Sequence, residues 1–419
     1  MEKYKCSSVG IIGSGIQGVC IGLHLIKKGI PVTIFDKQDP LSSDFKPASY
    51  GNAGHFSPYA VLKFNRPDIL KDVPKMLFSS HGPLAFKWNY IFKFIPWLSG
   101  YIKNCNKKSM LYTAKYMHQI TSLADEAYEE IFNEIDTTNL VDKKGIIYVW
   151  SNKNLKSRNL EIKVRNDLGI KQKLLSQKEI LELEPNLNPI FDAGVLYEDS
   201  MFARDPHAIL KQIFKLFLKK GGKFVQEDIK KLEQISESQT ILNSEKEKYD
   251  FEKIVVAAGA FSKTLTDQLS EKIPLDTERG YHVHFKNMEK LISRPIICLD
   301  RGFALSPMNQ GLRAVGTVEF GGLLNPPSKK RIDYIVKCAK EFLPQLSGHY
   351  DEWMGFRPTL PDFLPVIGPS LKNKNIIYAF GHDHLGWTLG AITGKIVSKI
   401  VAEEKTNMNL SPYSSKRFN

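Results

Sequence analysis

The sequence predicts an α/β fold that begins with a strand, a glycine-rich turn, a helix and a second strand. "SVGII", residues 8–12, is a short apolar strand, and Gly13, Gly15 and Gly18 follow it in a G-x-G-x-x-G order. "VCIGLHLIKKG" then has helical spacing, and "PVTIFD" supplies a second strand that ends in Asp36. A glycine turn between strand and helix, with an acid ending the next strand, is the βαβ pattern that binds a dinucleotide.

Each residue type in this motif has a physical reason to be there. The first two glycines permit a tight turn and close approach of a pyrophosphate, and the third permits contact between helix and strand. The pyrophosphate would lie at the helix N-terminus, where free N–H groups and the helix dipole favour anions. The carboxylate of Asp36 would bind ribose hydroxyls. FAD and NAD share the motif, so it does not choose between them, and a glycine turn without a ligand is the alternative.

Two later segments favour a flavin cofactor. "KIVVAAG" is an apolar strand that arrives at Gly259, as the late strand of glutathione-reductase-type flavoproteins does when it returns to the nucleotide sheet. Residues 221–251 alternate apolar and polar positions between polar turns, which predicts a small antiparallel layer beside that sheet. The predicted fold class is therefore α/β, with a Rossmann-like FAD-binding domain of glutathione-reductase type and a second, α+β substrate domain on an antiparallel sheet.

The composition limits which partners, metal sites and cellular locations are expected. The 419 residues carry a formal net charge of +13, but the lysines are scattered through polar turns, so no nucleic-acid partner is expected. Five cysteines without a C-x-x-C pair favour neither a disulfide framework nor a zinc cluster, and a cytoplasmic, reducing location is expected. Glycines interrupt the N-terminal apolar run, which argues against a signal peptide. The aromatic segment 86–98 contains Lys87, Lys93 and Pro96, so it is not a predicted transmembrane span.

Six segments of the sequence follow one another in a particular order: "GSGIQG" with Asp36, "ASYGNAGHFSP", "PLDTERGYHVHF", "LRAVGTVEFGG", "GFRPTLPDFLPVIG" and "GHDHLGWTLGAITGKIV". In this order they resemble the D-amino acid dehydrogenase family, within the flavoproteins that include glycine oxidase, sarcosine oxidase and D-amino acid oxidase. The words "GNAGH" and "RGYH" are also similar to those of enzymes that oxidise cis-4-hydroxy-D-proline.

FAD is expected to be bound non-covalently, because the C-terminal segments that would face the flavin contain no cysteine, and the resemblance implies a set of residues around it. The segment "GHDHLGWTLGAITGK" would bring a helix N-terminus against the flavin ring, so that backbone N–H groups stabilise the charge gathered on reduction. His55 is either a flavin neighbour or a packing residue. The implied cofactor-binding residues are Gly13, Gly15, Gly18, Asp36, Asn52, Ala53, Gly54, His55, Ile229, Gly259, Gly386, Trp387 and Thr388.

The resemblance also implies the chemistry. The expected reaction is oxidation of the Cα–N bond of a D-amino acid by hydride transfer to flavin, giving an imine and then a 2-oxo acid and ammonia. Arg357 in "GFRP" corresponds to the arginine that binds the substrate carboxylate, unless it forms an ordinary ion pair. Relatives add a tyrosine where this chain has Phe303, so Tyr281 or His282 is the substitute candidate. Arg279 is the next arginine to consider.

Three alternatives and a set of partners stay open at this point. The substrate is alternatively cis-4-hydroxy-D-proline or an N-methyl amino acid of the sarcosine kind, and a nucleotide-binding regulatory module is the remote alternative. The electron acceptor is a quinone or oxygen. Aromatic and lysine residues alternate over 86–108, which indicates either peripheral contact with the inner face of an anionic membrane or a helix packed on the substrate domain.

Two H-x-H pairs raise the question of a metal. His382 and His384 flank an aspartate, and His282 and His284 share one face of a predicted strand. An H-x-H pair binds a metal only when further ligands converge on it, and no cysteine or acid cluster in the sequence supports this, so no metal is expected.

The order of the segments predicts the domain boundaries. A discontinuous FAD-binding domain is expected over 1–85, 200–268 and 356–419. The substrate domain is expected over 86–199 and 269–355, with aromatic-rich helices in 86–135 at its edge.

Overall fold

In a computed structural model, the chain is described over residues 6–67, 84–151, 155–236 and 239–419. The helices of these residues, α1 to α10, are in chain order Ile16–Lys27, Ile91–Asn104, Lys107–Thr121, Ala124–Phe132, Leu155–Asp167, Gln177–Leu183, Pro206–Lys219, Ser262–Thr266, Lys329–Phe342 and Gly386–Val401. The strands, β1 to β20, are Val9–Ile12, Val32–Asp36, Leu84–Phe86, Val141–Asp142, Ile146–Trp150, Lys173–Ser176, Ala193–Tyr197, Phe202–Ala203, Lys223–Gln226, Lys231–Ser236, Gln239–Asn243, Lys248–Phe251, Lys253–Val256, Asp276–Lys286, Ile296–Cys298, Phe303–Met308, Gly311–Phe320, Tyr350–Thr359, Val366–Pro369 and Ile376–Phe380.

The N-terminal βαβ unit forms the centre of a six-stranded sheet. Its strand order is β19-β20-β13-β1-β2-β9, and every pair is parallel except β19 with β20. All four residues of β1 are buried, as expected for a parallel strand that is covered on both faces. Helices α1 and α10 pack together on one side of the sheet. The predicted turn, helix and second strand are therefore confirmed.

The predicted antiparallel layer beside this sheet is also present. Strands β10, β11 and β12 form a three-stranded antiparallel sheet. Leu232 and Leu242 of this layer share a core cluster with Ile12 and Phe35 of the parallel sheet. The layer thus covers the second face of the nucleotide sheet.

A nine-stranded, mostly antiparallel sheet forms the other half of the molecule. Its path is β18-β14-β17-β16-β15-β5-β7-β6, and β3 pairs with β17. Side chains of β14 alternate between two buried environments: Tyr281, Val283 and Phe285 join the core beneath α9, and the residues between them face the other way. Strands β14 and β18 pair in a register that sets Glu278 opposite Arg357.

The α/β fold with a second antiparallel sheet is the class that the sequence predicted. The strands of the six-stranded sheet all fall within the segments assigned to the FAD-binding domain, and α2 to α4 are the helices expected in 86–135. The exact domain boundaries stay a prediction. The boundary suggested at 356 lies inside β18, which pairs with β14 as far as Thr359.

Candidate active site

A large cavity joins the two halves of the molecule. It has a volume of about 1770 Å³ and lies between the carboxyl ends of β1, β2 and β13 and the face of the nine-stranded sheet that carries Glu278 and Arg357. The carboxyl edge of a parallel sheet is where open α/β folds bind their ligands. The glycine turn and Arg357 therefore share one cavity.

The glycine turn leaves room for a ligand at Gly15. Gly13 has a φ of +104°, and a side chain at Gly18 would place its Cβ 1.8 Å from the carbonyl oxygen of Gly13. At Gly15, by contrast, the nearest neighbour of an added Cβ is Ser49 Oγ at 3.5 Å, and Gly15 lines the cavity. The first turn of α1 begins there and has backbone N–H groups without intrahelical acceptors. The turn fits the pyrophosphate of FAD.

Asp36 is held at the end of β2 by its neighbours. Its Oδ2 accepts hydrogen bonds from the backbone N–H of Ser14 at 2.9 Å and from Ser14 Oγ at 2.8 Å, and its Oδ1 accepts from the N–H of Gln38 at 3.2 Å. Asp36 lines the cavity together with Ile229 and Gly259. The carboxylate is therefore oriented before any ribose arrives.

The loop that carries Asn52 and Ala53 is fixed by an arginine that sequence reasoning missed. Asn52 Oδ1 accepts from the N–H of Gly54 at 2.6 Å. Nη1 of Arg313, on β17, donates to the carbonyls of Tyr50 at 3.0 Å and Asn52 at 2.8 Å. Burial lowers the pKa of Arg313 to about 10, so the guanidinium stays charged at neutral pH. The segment "LRAVG" offered no local sign of this role, because its partners lie about 260 residues earlier.

His55 and Thr388 tie the same loop to the nine-stranded sheet and to α10. His55 Nε2 lies 2.8 Å from Ser306 Oγ. Thr388 Oγ1 accepts from the N–H of Ser57 at 3.1 Å and donates to the carbonyl of His55 at 3.3 Å. Burial lowers the pKa of His55 to about 3, so this imidazole is neutral. Gly386, at the start of α10, accepts from Gln17 Nε2 at 2.6 Å and lines the cavity with Trp387.

Most residues proposed for the site reach the cavity, and four do not. Gly18 and Gly54 provide close backbone packing, Thr388 ties the loop to α10, and His282 points away. The cavity-lining members of the proposed set are Gly13, Gly15, Asp36, Asn52, Ala53, His55, Ile229, Gly259, Tyr281, Arg357, Gly386 and Trp387.

Arg357 lies flat over the backbone of β14. A Cβ added to Gly280 would be 2.2 Å from Arg357 Nη2, so only glycine permits this approach. Nη1 donates to the carbonyl of Thr317 at 3.1 Å. Burial lowers the pKa of Arg357, and the carboxylates of Glu278 and Asp383 oppose that shift. The guanidinium is thus a fixed cation on the cavity wall.

Tyr281 and His282 direct their polar groups away from this cation. Tyr281 Oη donates to Glu319 at 2.9 Å and accepts from the N–H of Ser328 at 3.1 Å. His282 Nδ1 lies 3.0 Å from the carbonyl of Gly51, and its ring stacks on Trp353. Both side chains follow the alternation of β14 into packed environments. The expectation that one of them supplies a second carboxylate contact is therefore not supported by their geometry.

Arg279, the alternative arginine, is not available for a substrate either. It is fully buried, and its Nη1 lies 2.9 Å from the carboxylate of Glu319. Its Nη2 donates to the carbonyl of Asn325 at 2.9 Å.

A cluster of charged residues surrounds the segment His382-Asp383-His384. His384 Nε2 lies 2.7 Å from Glu278 Oε2 and 3.4 Å from Asp383 Oδ1. Lys63 Nζ lies 3.2 Å from Asp383 Oδ2, and both of these side chains are buried. Burial alone would raise the pKa of Asp383, but the charges of His384 and Lys63 outweigh it and hold that pKa low.

The cluster brings acidic ligands to one of the histidines that the sequence offered for a metal. Ligand atoms of Glu278, Asp383 and His384 lie within 4.8 Å of one another, so two acids do converge on one of the histidines. Sequence reasoning found no such acids because Glu278 is about 100 residues distant in the chain. Lys63 already neutralises Asp383, and a lysine ammonium beside a carboxylate opposes binding of a second cation.

Buried neutral histidines make the protein sensitive to acid. His382 Nε2 lies 3.1 Å from Thr393 Oγ1, and burial lowers the pKa values of His382 and His55 to about 3 from 6.5. The unfolded chain then binds more protons below pH 6.5, so stability falls as the pH drops towards 3. At about pH 5, each of these two histidines should lower the free energy of unfolding by about 2 kcal/mol.

We expect His382→Asn to reduce the loss of thermal stability between pH 7 and pH 5. Melting temperatures of the FAD-loaded protein at the two pH values test this, with the exposed His349→Asn as control. An unchanged pH dependence in His382→Asn would contradict the assignment of a neutral, acid-sensitive histidine.

The fold and the glycine turn define a dinucleotide-binding flavoprotein architecture. The family model described as "FAD dependent oxidoreductase" matches residues 8–400, and the chain belongs to this family. A D-amino-acid oxidase from Bradyrhizobium diazoefficiens is 32% identical over 416 residues, covering 98% of each chain. A D-amino acid dehydrogenase from Vibrio atlanticus is 26% identical, covering 97% of this chain and 99% of the relative.

Solved structures with the same fold cover nearly the whole chain. A glycine oxidase from Geobacillus kaustophilus has a TM-score of 0.73 at 19% identity and 98% coverage of both chains. An L-proline dehydrogenase from P. horikoshii has a TM-score of 0.74 at 17% identity, covering 99% of this chain and 98% of the other. At these identities, the likeness concerns the fold.

The protein is therefore an FAD-dependent oxidoreductase, and FAD is its cofactor. The cavity beside Gly15 and Asp36 has the helix N-terminus and the carboxylate that this cofactor needs. The remote alternative of a regulatory module without catalysis does not agree with the family.

Proposed function

We propose that the protein oxidises the Cα–N bond of a D-amino acid, and that Arg357 binds the substrate carboxylate. One observation carries the proposal: the Arg357 guanidinium lines the same cavity as the glycine turn and the start of α10. The names of the relatives from Bradyrhizobium and Vibrio support D-amino acids as the substrate class.

The chain supplies binding, orientation and electrostatics to this reaction. When bound, FAD accepts the hydride that leaves the carbon next to the amine. The planar fork of Arg357 suits a two-point contact with a carboxylate, which fixes the direction of the Cα–H bond. Backbone N–H groups of Gly386 and Trp387 begin a helix and favour negative charge near them. The imine product then hydrolyses to a 2-oxo acid and ammonia.

An aromatic wall closes the substrate end of the cavity. Phe94, Trp97 and Phe320 line it, with ring centroids 4.3 to 5.1 Å apart. Such a wall excludes water and strengthens the contact between Arg357 and a carboxylate. It suits an apolar or cyclic side chain, so cis-4-hydroxy-D-proline and N-methyl amino acids are the second candidate substrates.

Turnover of enantiomer pairs with an artificial quinone tests the proposal. We expect D-amino acids to be oxidised with formation of a 2-oxo acid and ammonia, and the L-enantiomers to be poor substrates. A proline derivative should instead release a cyclic imine without ammonia. Preference for L-amino acids, or turnover of N-methylglycine alone, would contradict the D-amino acid assignment.

We further propose that the exposed side chains at and just before the start of α2 contact an anionic membrane, and that a quinone is preferred to oxygen. Trp88 and Phe92 are 67% and 83% exposed beside Lys87 and Lys93. The side chain of Asn89 forms a hydrogen bond with that of Asn325, so the 95%-exposed Leu324 lies near Trp88 and Phe92. Aromatic residues interleaved with lysines are typical of surfaces that bind anionic lipid.

The same region also reaches the cavity. Trp88 and Ile91 are among its lining residues. An apolar acceptor in a bilayer would thus approach the cavity from the proposed membrane face. Among the described residues, no helix has the length and apolar character to cross a bilayer. Peroxide formation in air as fast as reduction of a quinone would contradict the preference for a quinone.

We expect Trp88→Ser with Phe92→Ser to weaken binding to phosphatidylglycerol vesicles by about tenfold or more, because each buried aromatic contributes about 1.5–3 kcal/mol. Co-sedimentation measures this. Leu174→Ser, which removes an exposed leucine from β6 at the far end of the nine-stranded sheet, is the control. Equal binding by the double variant and the native protein would rule out this face, and no binding by the native protein would rule out the membrane contact.

A further inference from the structure

Phe363 has a backbone conformation that bulky residues rarely adopt. It lies in the turn between β18 and β19, and its φ is +61°, in the left-handed region that favours glycine and asparagine. Among the described residues, it is the one residue with an apolar or aromatic side chain that has such a φ. The side chain is 2% exposed and lines the cavity. Strained backbone that persists at a cavity wall points to a function of the side chain that it carries.

The ring of Phe363 joins the aromatic wall of the cavity. It packs edge-on against Trp97 and Tyr101, with ring centroids 6.5 and 6.0 Å apart. Burial is the main cause that raises the pKa of the Tyr101 hydroxyl, and the charge of the nearby Glu278 carboxylate adds to it. Glu278 is in turn the strand partner of Arg357. The wall that Phe363 completes therefore begins beside the proposed carboxylate site.

Contacts on both sides of Phe363 hold the turn in place. The carbonyl of Asp362 accepts from Oγ1 of Thr113, on α3, at 3.1 Å. Near the C-terminus, Arg417 donates Nε–H to Asp362 Oδ2 at 2.6 Å and Nη2–H to the carbonyl of Leu364 at 2.6 Å. One guanidinium thus binds the residue before Phe363 and the residue after it.

The C-terminal segment that carries Arg417 is itself anchored. Ser415 Oγ donates to Oε2 of the buried Glu271 at 3.0 Å. Glu271 Oε1 also accepts from Tyr378 Oη at 2.9 Å, which fixes the carboxylate against β20. The side chains of Arg417 and Asp362 are only 15% and 14% exposed. Arg417 is therefore a fixed clamp on the turn, unlike an ion pair at the open surface.

We propose that Phe363 is a specificity-determining residue whose ring contacts the side chain of a large apolar D-amino acid, and that Arg417 is the positioning residue that keeps it there. The role rests on the proposed oxidation of amino acids with Arg357 on the carboxylate. Glycine would adopt the φ of +61° without strain, but it would supply no apolar area at the cavity wall. Aromatic rings favour an apolar side chain, because they do not replace the water that a charged one loses.

Phe363→Gly removes the ring and keeps the turn. We expect kcat/KM for D-phenylalanine to fall by about tenfold or more and that for D-alanine to stay within about twofold, since only the large side chain loses a contact. Steady-state kinetics with an artificial quinone measure the ratio of the two values, with flavin content and circular dichroism as checks on the fold. Phe363→Leu, which keeps the core filled, should lower the ratio less. An unchanged ratio, or an equal fall for both substrates, would overturn the role of Phe363.

Arg417→Ala tests the clamp without changing a residue that lines the cavity. The same ratio should fall by about threefold or more, because a displaced contact residue loses part of its binding energy. Lys416→Ala, the exposed neighbour outside the cavity lining, should keep the native ratio. A native ratio in Arg417→Ala would overturn the positioning role.

Ligand binding separates the contact at Phe363 from the proposed function. Phenylacetate and acetate share a carboxylate and differ in the apolar group, and changes in the flavin spectrum report both without turnover. We expect the native protein to bind phenylacetate about tenfold or more tightly than acetate, and Phe363→Gly to lose most of this difference. Equal Kd values in the native protein would overturn the inference even if amino acids are oxidised. If no amino acid reduces the native flavin, the proposed function fails, and the two Kd values still test the apolar contact.

Discussion

Arg357→Ala should lower kcat/KM for the best amino acid substrate by tens- to several-thousand-fold while FAD stays bound. The guanidinium is fixed over Gly280 and faces the cavity, so its removal leaves a substrate carboxylate without a partner in a desolvated site. Loss of one member of such a charge pair costs about 2–5 kcal/mol, and each ~1.4 kcal/mol is a factor of ten. Steady-state kinetics with flavin content measured in parallel check the prediction.

Two further variants sharpen this result. Arg357→Lys should recover only part of the lost kcat/KM, because a point charge cannot reproduce the bidentate fork. Arg204→Ala is the matched control, since Arg204 pairs with Asp142 and does not line the cavity. Near-normal kcat/KM in Arg357→Ala, with full flavin occupancy, would show that another group binds the carboxylate.

Gly15→Ala should yield a folded protein that has lost most of its FAD and therefore its activity. An added Cβ at Gly15 meets no protein atom closer than 3.5 Å, so the fold can accept it, but it enters the space left for the pyrophosphate. Gly18→Ala should instead damage the fold, because its Cβ would lie 1.8 Å from the carbonyl oxygen of Gly13. We expect flavin absorbance per polypeptide to fall by more than about tenfold in Gly15→Ala, which is a loss of about 1.4 kcal/mol or more in binding.

Two measurements, flavin absorbance and circular dichroism, distinguish the effects of Gly15→Ala and Gly18→Ala. Circular dichroism should show native secondary structure for Gly15→Ala and a lower melting temperature for Gly18→Ala. Asp36→Ala should give a smaller loss of FAD, because the remaining contacts of the dinucleotide persist. Full retention of FAD by Gly15→Ala would mean that the pyrophosphate does not lie against this turn.

Local sequence patterns predicted the six-stranded sheet, its glycine turn and the antiparallel layer beside it well. The glycine turn, α1 and the strand ending in Asp36 are adjacent in sequence, so their spacing specifies their geometry. The alternating segment 221–251 likewise predicted the layer β10 to β12, since hairpin strands pair with their neighbours.

The nine-stranded sheet and the cavity wall on it depend on contacts between segments that are distant in the chain. A single sequence does not show which distant segments pair. Glu278 meets Arg357 through strand register, and Lys63 meets Asp383 across 320 positions. The two faces of β14 are both buried, so alternation could not tell which one meets the cavity. For this reason Tyr281 and His282 were plausible candidates from the sequence, whereas Glu278 was overlooked.

The most direct test of the central claim, that one cavity presents an amino acid to the flavin with Arg357 on its carboxylate, is anaerobic mixing of the FAD-loaded enzyme with enantiomer pairs and proline derivatives. The flavin absorbance is followed in the native protein and in Arg357→Ala. We expect a D-amino acid or D-proline derivative to bleach the native flavin by two electrons per site, and the same compound to bleach Arg357→Ala far more slowly at equal flavin content. Bleaching at the same rate in both proteins, or no bleaching of the native enzyme by any amino acid, would contradict the account.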